Sequence, residues 1–114
     1  MIKLYGIPNC DTMKKARRWL EDNGVEYEFH DYKKLGVPKE HLTRWVRQAG
    51  WEALLNKRGT TWRKLDDSDK NRIDEALAIE IMLENPSIIK RPVVESGTLL
   101  LIGFDQTEFQ QLVQ

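Results

Sequence analysis

The opening residues place the single cysteine of the chain between a predicted strand and a predicted helix. Residues 2–7 form an apolar run typical of a short strand, and the Pro-Asn pair that follows ends it. Helical spacing of apolar residues begins at residue 11 or 12 and continues to about residue 23, and alternating apolar and polar side chains predict a strand over residues 25–30. Strand, helix and strand so close together form a βαβ unit, which predicts parallel strands with a right-handed crossover.

The position of Cys10 favours a reactive thiolate. Unpaired backbone N–H groups converge at the start of a helix, and the helix dipole favours an anion there. A thiol in that position loses its proton more readily than its reference pKa of about 8.5 implies. Lys14 and Lys15 add positive charge nearby, and Asp11 opposes them weakly. The alternative is a small buried hydrophobe, as most lone cysteines are, but a strand-to-helix turn rarely buries a side chain.

The composition describes one ordinary globular domain, predicted to span residues 1–114. At 114 residues with 40% hydrophobic and 32% charged side chains, the chain is long enough to bury a core without metal or disulfide support. Eighteen basic and eighteen acidic side chains cancel, so we expect neither nucleic acid nor a membrane as a partner. This neutral balance and the lack of an obvious apolar stripe make a monomer the expectation.

The cysteine and histidine content bears on compartment and metals. One cysteine cannot form an internal disulfide, and nothing resembles a secretory signal, so we expect a cytoplasmic protein. No apolar run approaches the roughly 18 residues of a membrane span. His30 and His41 lie far from Cys10 and from each other, so no metal site is predicted.

The middle of the chain is predicted to be helical throughout residues 38–84. One helix starts at Pro38 and ends at Gly50, a shorter one covers residues 51–56, and residues 62–65 form a further turn. A long helix capped by Asp67 or Ser68 should follow, and its predicted inner face consists of Ile73, Ala76, Leu77, Ile81 and Met82. We interpret this block as a helical insertion on the side of the sheet.

The last part of the chain returns to strands. Two short β runs, residues 93–95 and 98–102, flank a Ser-Gly pair and predict an antiparallel hairpin. Asp105, with Glu108 three residues on, predicts the cap of a final helix. The fold class is therefore α/β: βαβ, a helical insertion, then ββα, giving a four-stranded mixed sheet with helices on both faces.

Four segments of the chain, in order and with compatible spacing, resemble the ArsC/Spx family of arsenate-reductase-like proteins, most of all its YffB-like branch. They are Tyr-Gly-Ile-Pro-Asn-Cys-Asp-Thr (5–12), Ala-Leu-Leu-Asn-Lys-Arg-Gly (53–59), Ile-Lys-Arg-Pro-Val-Val (89–94) and, more weakly, Gly-Phe-Asp (103–105). This family is similar to the thioredoxin fold, and the resemblance covers nearly the whole chain.

The resemblance implies a thiol enzyme with Cys10 as its nucleophile. It implies that Arg58 and Arg91 face the thiolate and an anionic substrate, which suits the fixed fork of a guanidinium group. It also implies a cis Arg91–Pro92 bond that leaves the Arg91 backbone free to pair with an extended peptide such as glutathione. The expected substrate-binding residues are Asn9, Thr12, Lys14, Arg91, Pro92 and Val93.

Two departures from the family pattern shape the functional prediction. The fourth residue of the expected Cys-x-x-Cys pair is Met13, so Cys10 needs an outside resolving thiol, and glutathione is the natural co-substrate. The arginine that arsenate reductases of this kind carry after the last strand is missing from residues 101–104, which disfavours arsenate reduction. We therefore expect a glutathione-dependent reductase of small-molecule or protein disulfides. The main alternative is a Spx-like regulator without enzymatic activity that binds RNA polymerase.

Overall fold

The computed structural model describes residues 1–113, which form two compact units: Met1–Leu35 with the residues from Arg91 onward, and Gly36–Lys90. The elements follow in the order β1 (Ile2–Gly6), α1 (Asp11–Asp22), β2 (Tyr27–Asp31), α2 (Tyr32–Leu35), α3 (Lys39–Ala49), α4 (Trp51–Leu54), α5 (Thr60–Arg63), α6 (Asp67–Asn71), α7 (Glu75–Glu84), a 3₁₀ turn (Pro86–Ile88), β3 (Val93–Ser96), β4 (Leu99–Ile102), α8 (Gln106–Phe109) and a closing 3₁₀ turn (Gln110–Val113).

The first unit contains a four-stranded mixed sheet with the strand order β2-β1-β3-β4. Strands β1 and β2 are parallel, with Ile2 opposite Tyr27 and Gly6 opposite Asp31. Strand β3 runs antiparallel to both β1 and β4. The predicted fold class, with its βαβ unit and its C-terminal hairpin, is confirmed. The parallel register brings the carboxyl ends of β1 and β2 to the same edge of the sheet, directly before Cys10 and Tyr32.

The core of this unit lies between the sheet and helices α1 and α8. Burial of apolar surface is the main force that holds such layers together. The buried residues of this core are Leu4, Met13, Ala16, Leu20, Val94, Leu101 and Phe109. Trp19 is half-buried at the edge of this core and packs edge-on against Phe109, with 5.5 Å between ring centroids. The capping prediction for Asp105 is confirmed, because its carboxylate accepts hydrogen bonds from the backbone N–H groups of Thr107 and Glu108.

Close contact between Gly6 and Met13 fixes the start of α1 against the end of β1. A Cβ atom on Gly6 would overlap the Sδ and Cε atoms of Met13, whose side chain is fully buried. A larger residue at position 6 would require the end of the Met13 side chain to move. Met13, which stands where a Cys-x-x-Cys motif has its second cysteine, therefore faces the core.

The second unit, Gly36–Lys90, is helical, and within it only an isolated bridge between Leu55 and Ile89 has β geometry. Its buried side chains come mainly from α3, α4 and α7 and include Leu42, Trp45, Val46, Leu54, Ala78, Ile81 and Met82. Helix α3 ends at Ala49, with Gly50 as its C-cap, which agrees with the predicted end of this helix. The φ of Gly50 is 89°, a conformation that is costly for any residue with a Cβ.

The prediction of one long helix starting at Asp67 or Ser68 is wrong. Helix α6 ends at Asn71, and Asp74 adopts an extended conformation in which its carboxylate accepts the Leu77 N–H at 2.9 Å. Aspartate competes for backbone N–H groups and so favours the N-cap over a helix interior. The buried face of α7 consequently begins at Ala78, while Ile73 lies between the helices.

Candidate active site

Cys10 is the N-cap residue of α1, in an extended conformation with φ −127° and ψ 133°. Its carbonyl accepts the N–H of Lys14 at 2.9 Å, which begins the helix. The side chain is half-buried and touches the edge of the core cluster. The sulfur is thus neither fully buried nor fully exposed to solvent, and such partial exposure suits a reactive thiol.

Arg91 meets this thiol from the segment that leads into β3. Its Nε donates to Cys10 Sγ at 3.4 Å, a contact between residues 81 positions apart. Arg91 is half-buried, and the Arg91–Pro92 peptide bond is cis, as the resemblance implies. A guanidinium group stays protonated at any physiological pH, so it supplies a fixed positive charge beside the sulfur.

The pKa of the Cys10 thiol lies below its usual value. Partial burial by itself would raise this pKa, but the hydrogen bond from Arg91 and the backbone N–H groups of Met13 and Thr12 lower it by more. Hydrogen bonds and positive charge favour the ionised form of an acid, whereas desolvation disfavours it. The donors therefore outweigh the burial and shift the equilibrium of Cys10 towards its thiolate.

Tyr32 forms a third member of the site that the sequence analysis missed. Its side chain is fully buried, and its hydroxyl is hydrogen-bonded to the Arg91 guanidinium. Burial raises the pKa of Tyr32 to about 12 although Arg91 opposes this effect, so the phenol is neutral near pH 7. Tyr32 was not predicted because strand β2 was expected to end at His30. The strand in fact ends at Asp31, so Tyr32 is the first residue beyond it, at the same edge of the sheet as Cys10.

A cleft of about 250 Å³ lies in the first unit, beside the segment that leads to Cys10. One wall is formed by Ile7, Pro8 and Asn9, which lead directly to Cys10, and the other by Asp31, Lys33 and Lys34. The Asp31 carboxylate accepts the backbone N–H groups of both lysines, at 3.1 and 3.2 Å, and holds this wall in place. The cleft lies beyond the carboxyl ends of two parallel strands, where α/β folds commonly bind ligands.

The remaining predicted residues occupy different positions. Thr12 and Lys14 are exposed on the first turn of α1, and Thr12 contributes its backbone N–H to the sulfur. Pro92 and Val93 are buried, and the Pro92 carbonyl accepts the Gly103 N–H at 2.8 Å. Val93 is paired with Tyr5 on one side and Ile102 on the other, so it belongs to the interior of the sheet.

Arg58 belongs to the second unit, where it is exposed in the loop before α5. Its backbone N–H donates to Asn56 Oδ1 at 3.0 Å, and its carbonyl accepts a hydrogen bond from Arg63 at 3.2 Å. The loop is thereby locally ordered. A role of Arg58 beside the thiol stays a prediction, as does a role of Lys14 in holding the thiolate.

Neither a metal site nor a membrane-spanning helix occurs in the part of the chain that the structure describes. Among residues 1–113, no group of three or more His, Cys, Asp or Glu side chains is placed to hold a metal ion. None of the helices in this range combines the length and the apolar character that a membrane crossing requires.

The chain is similar to proteins of known structure over its whole length. It aligns with a solved protein named YffB (PA3664) at 52% identity and a TM-score of 0.96, covering 100% of both chains. It aligns with an arsenate reductase (ArsC) related protein from Brucella melitensis at 50% identity and a TM-score of 0.79, covering 96% of this chain and 92% of that one.

Sequence comparison points the same way. An uncharacterized protein of Haemophilus influenzae is 47% identical over 96% of both chains. The global transcriptional regulator Spx of Streptococcus agalactiae is 30% identical over 96% of this chain and 81% of its own length. The model of the ArsC family matches residues 5–112. With its thioredoxin-like sheet and a cysteine at the first strand-to-helix turn, the chain belongs to the ArsC family.

Proposed function

We propose that this protein is a glutathione-dependent thiol–disulfide oxidoreductase with Cys10 as its nucleophile. The observation that supports the proposal most is the Arg91 Nε donating to Cys10 Sγ at 3.4 Å, at the N-terminus of α1. Family membership supports the same chemical class. Glutathione enters the proposal because Cys10 is the only cysteine, and the intermediate must therefore be resolved by a thiol from outside.

The proposed reaction has two thiol–disulfide exchanges. The Cys10 thiolate attacks the glutathionyl sulfur of a mixed disulfide, the S–S bond breaks, and the substrate leaves as a thiolate that takes a proton from water. The thiolate of a second glutathione then attacks the glutathionyl sulfur on Cys10. Cys10 leaves as a thiolate, and the glutathionyl group and the second glutathione are released together as glutathione disulfide. The second glutathione is thereby oxidised while the substrate is reduced to its thiol.

The low thiol pKa assists both steps. At neutral pH it increases the fraction of Cys10 that is ionised and able to attack. In the second step Cys10 is the leaving group, and a thiol of lower pKa leaves faster. Arg91 stabilises the sulfur anion at the start of the cycle and again at its end.

Trapping tests the proposal directly. Incubation with glutathione disulfide is expected to add one glutathione per chain, and mass spectrometry should place it on Cys10. Addition of reduced glutathione should remove the adduct and restore the free thiol. A protein that gains no adduct, or one whose adduct reduced glutathione cannot release, would contradict the proposed cycle.

The cleft beside Asn9 is the proposed binding place for the peptide arm of glutathione. Lys33 and Lys34 are exposed on its wall and offer positive charge to a carboxylate. Reversal of both charges, Lys33→Glu with Lys34→Glu, is expected to raise KM for glutathione severalfold to about tenfold, since exposed ion pairs are individually weak. The rate with mercaptoethanol, a thiol without carboxylates, should be unchanged. If the variant lost the same fraction of its rate with both thiols, the cleft would not be a binding place for glutathione.

A second candidate is supported by the similarity to Spx. The 30% identity over most of both chains favours a protein-binding regulator of this kind. Met13 is buried in the core, so a disulfide switch between its position and Cys10 is not available here. Absence of turnover together with stable association with RNA polymerase would favour the regulator over the enzyme.

Arsenate reduction receives less support. Residues 101–104 carry no arginine, and Leu101 at their start is buried in the core cluster. Without a further guanidinium group, a tetrahedral oxyanion beside Cys10 would lack a charge partner that related reductases supply.

A further inference from the structure

The first feature is the position of Tyr32 at the edge of the sheet that carries the thiol. Tyr32 follows β2 immediately, and β2 lies parallel to β1, whose carboxyl end leads to Cys10. Its side chain is fully buried, yet its hydroxyl finds a partner in the Arg91 guanidinium. Buried hydroxyl groups require such partners, and this one is a residue that also contacts the sulfur.

The second feature is the division of donors on Arg91. A guanidinium group only donates hydrogen bonds, so the Tyr32 oxygen accepts from it while Cys10 Sγ accepts from Nε at 3.4 Å. The group is planar and rigid, so a second acceptor restricts both its position and its plane more than the sulfur alone does. A single contact to the sulfur would leave the long side chain free to rotate.

The third feature is the charge of Tyr32. A buried phenol with a pKa of about 12 stays neutral wherever Cys10 titrates. It therefore holds Arg91 without placing a second negative charge beside the thiolate. The charge of Arg91 remains available to the sulfur.

We propose that Tyr32 is a positioning residue that holds the Arg91 guanidinium against the Cys10 sulfur. It acts on the thiol without touching it, through the orientation of Arg91. The inference rests on the proposed role of Cys10 as nucleophile, but its test uses alkylation of the thiol and does not depend on glutathione. A failure of the glutathione cycle and a failure of this inference are thus separate results.

The test compares Tyr32→Phe with the unaltered protein in the pH dependence of Cys10 alkylation by iodoacetamide. We expect the midpoint to move to higher pH and the rate near pH 7 to fall about threefold to tenfold, because the thiolate loses part of its stabilisation. The plateau rate at high pH should not fall, because a thiolate of higher pKa is at least as nucleophilic. A Tyr32→Phe profile that superimposes on that of the unaltered protein would overturn the proposal.

Tyr27 provides a matched control in the same unit. Its hydroxyl accepts a hydrogen bond from Arg17 Nε at 3.0 Å, so Tyr27→Phe removes the same kind of pair away from the thiol. That variant should keep the original alkylation profile. In an Arg91→Met background, Tyr32→Phe should cause no further shift, since the route through Arg91 is gone. A shift of the same size in that background would show a general structural effect and refute the positioning role.

A measurement on the unaltered protein guards against a variant that fails to fold. The Arg91 Nε–H should give an NMR resonance that is protected from solvent exchange, and its chemical shift should follow the titration of Cys10. An Nε–H that exchanges like that of a free arginine would overturn the proposal, whatever Tyr32→Phe does.

Discussion

Replacement of Cys10 by serine is expected to lower the turnover of glutathione mixed disulfides by at least about a thousandfold. Serine has no ionised form near neutral pH, and its oxygen cannot form a disulfide with the substrate. The loss should appear in a glutathione-coupled assay as a fall in kcat, and no glutathione adduct should form. Because this is the only cysteine, the variant should also be inert to iodoacetamide at cysteine.

The fold offers an internal control for this variant. Cys10 occupies the N-cap of α1, and serine is among the preferred N-cap residues. The Tm of Cys10→Ser should therefore be no lower than that of the unaltered protein. Turnover that survives in a folded Cys10→Ser protein would mean that the chemistry lies elsewhere.

Replacement of Arg91 by methionine should cause the next largest loss, about a hundredfold in glutathione-coupled turnover at pH 7. Methionine keeps a long apolar stem but removes the donor that faces Cys10 Sγ. Partial burial then acts against the thiolate with fewer opposing donors, so the pKa of Cys10 should rise. The deficit should be greatest at low pH and shrink as the pH passes the raised pKa, a pattern that alkylation rates from about pH 6 upward would reveal.

Arg17→Met is the matched comparison for this variant. Arg17 is also half-buried, donates to the Tyr27 hydroxyl, and lies 4.5 Å from the centroid of the Phe29 ring. Its loss removes the same charge from the same unit without touching the thiol, so the pH profile should stay in place. Arg91→Met leaves the Tyr32 hydroxyl short of a partner, at a cost of about 1–3 kcal/mol, so both variants are assayed well below their unfolding temperatures. An unchanged alkylation profile in Arg91→Met would remove Arg91 from the site.

Much of the fold was predictable because it depends on local patterns. The apolar run before Cys10, the alternation after residue 25 and the Ser-Gly turn before β4 each depend on neighbouring residues, and together they determine the βαβ and hairpin units. The division of the predicted long helix at Asp74 is also local, since aspartate before a helical run is a cap signal. The apolar spacing of Ile73 and Leu77 continues across Asp74, so periodicity alone does not reveal this division.

The position of a lone cysteine at a strand-to-helix turn, where a helix N-terminus favours its anion, follows from the order of the residues alone. That order could not show which distant groups meet that sulfur: Arg91 entered through resemblance to a family, and Tyr32 was not found at all. Their meeting depends on the strand order β2-β1-β3-β4, which places the ends of β1 and β2 and the start of β3 around one point. Side chains far apart in the chain are brought together by sheet pairing and core packing, and local periodicity carries no information about those contacts.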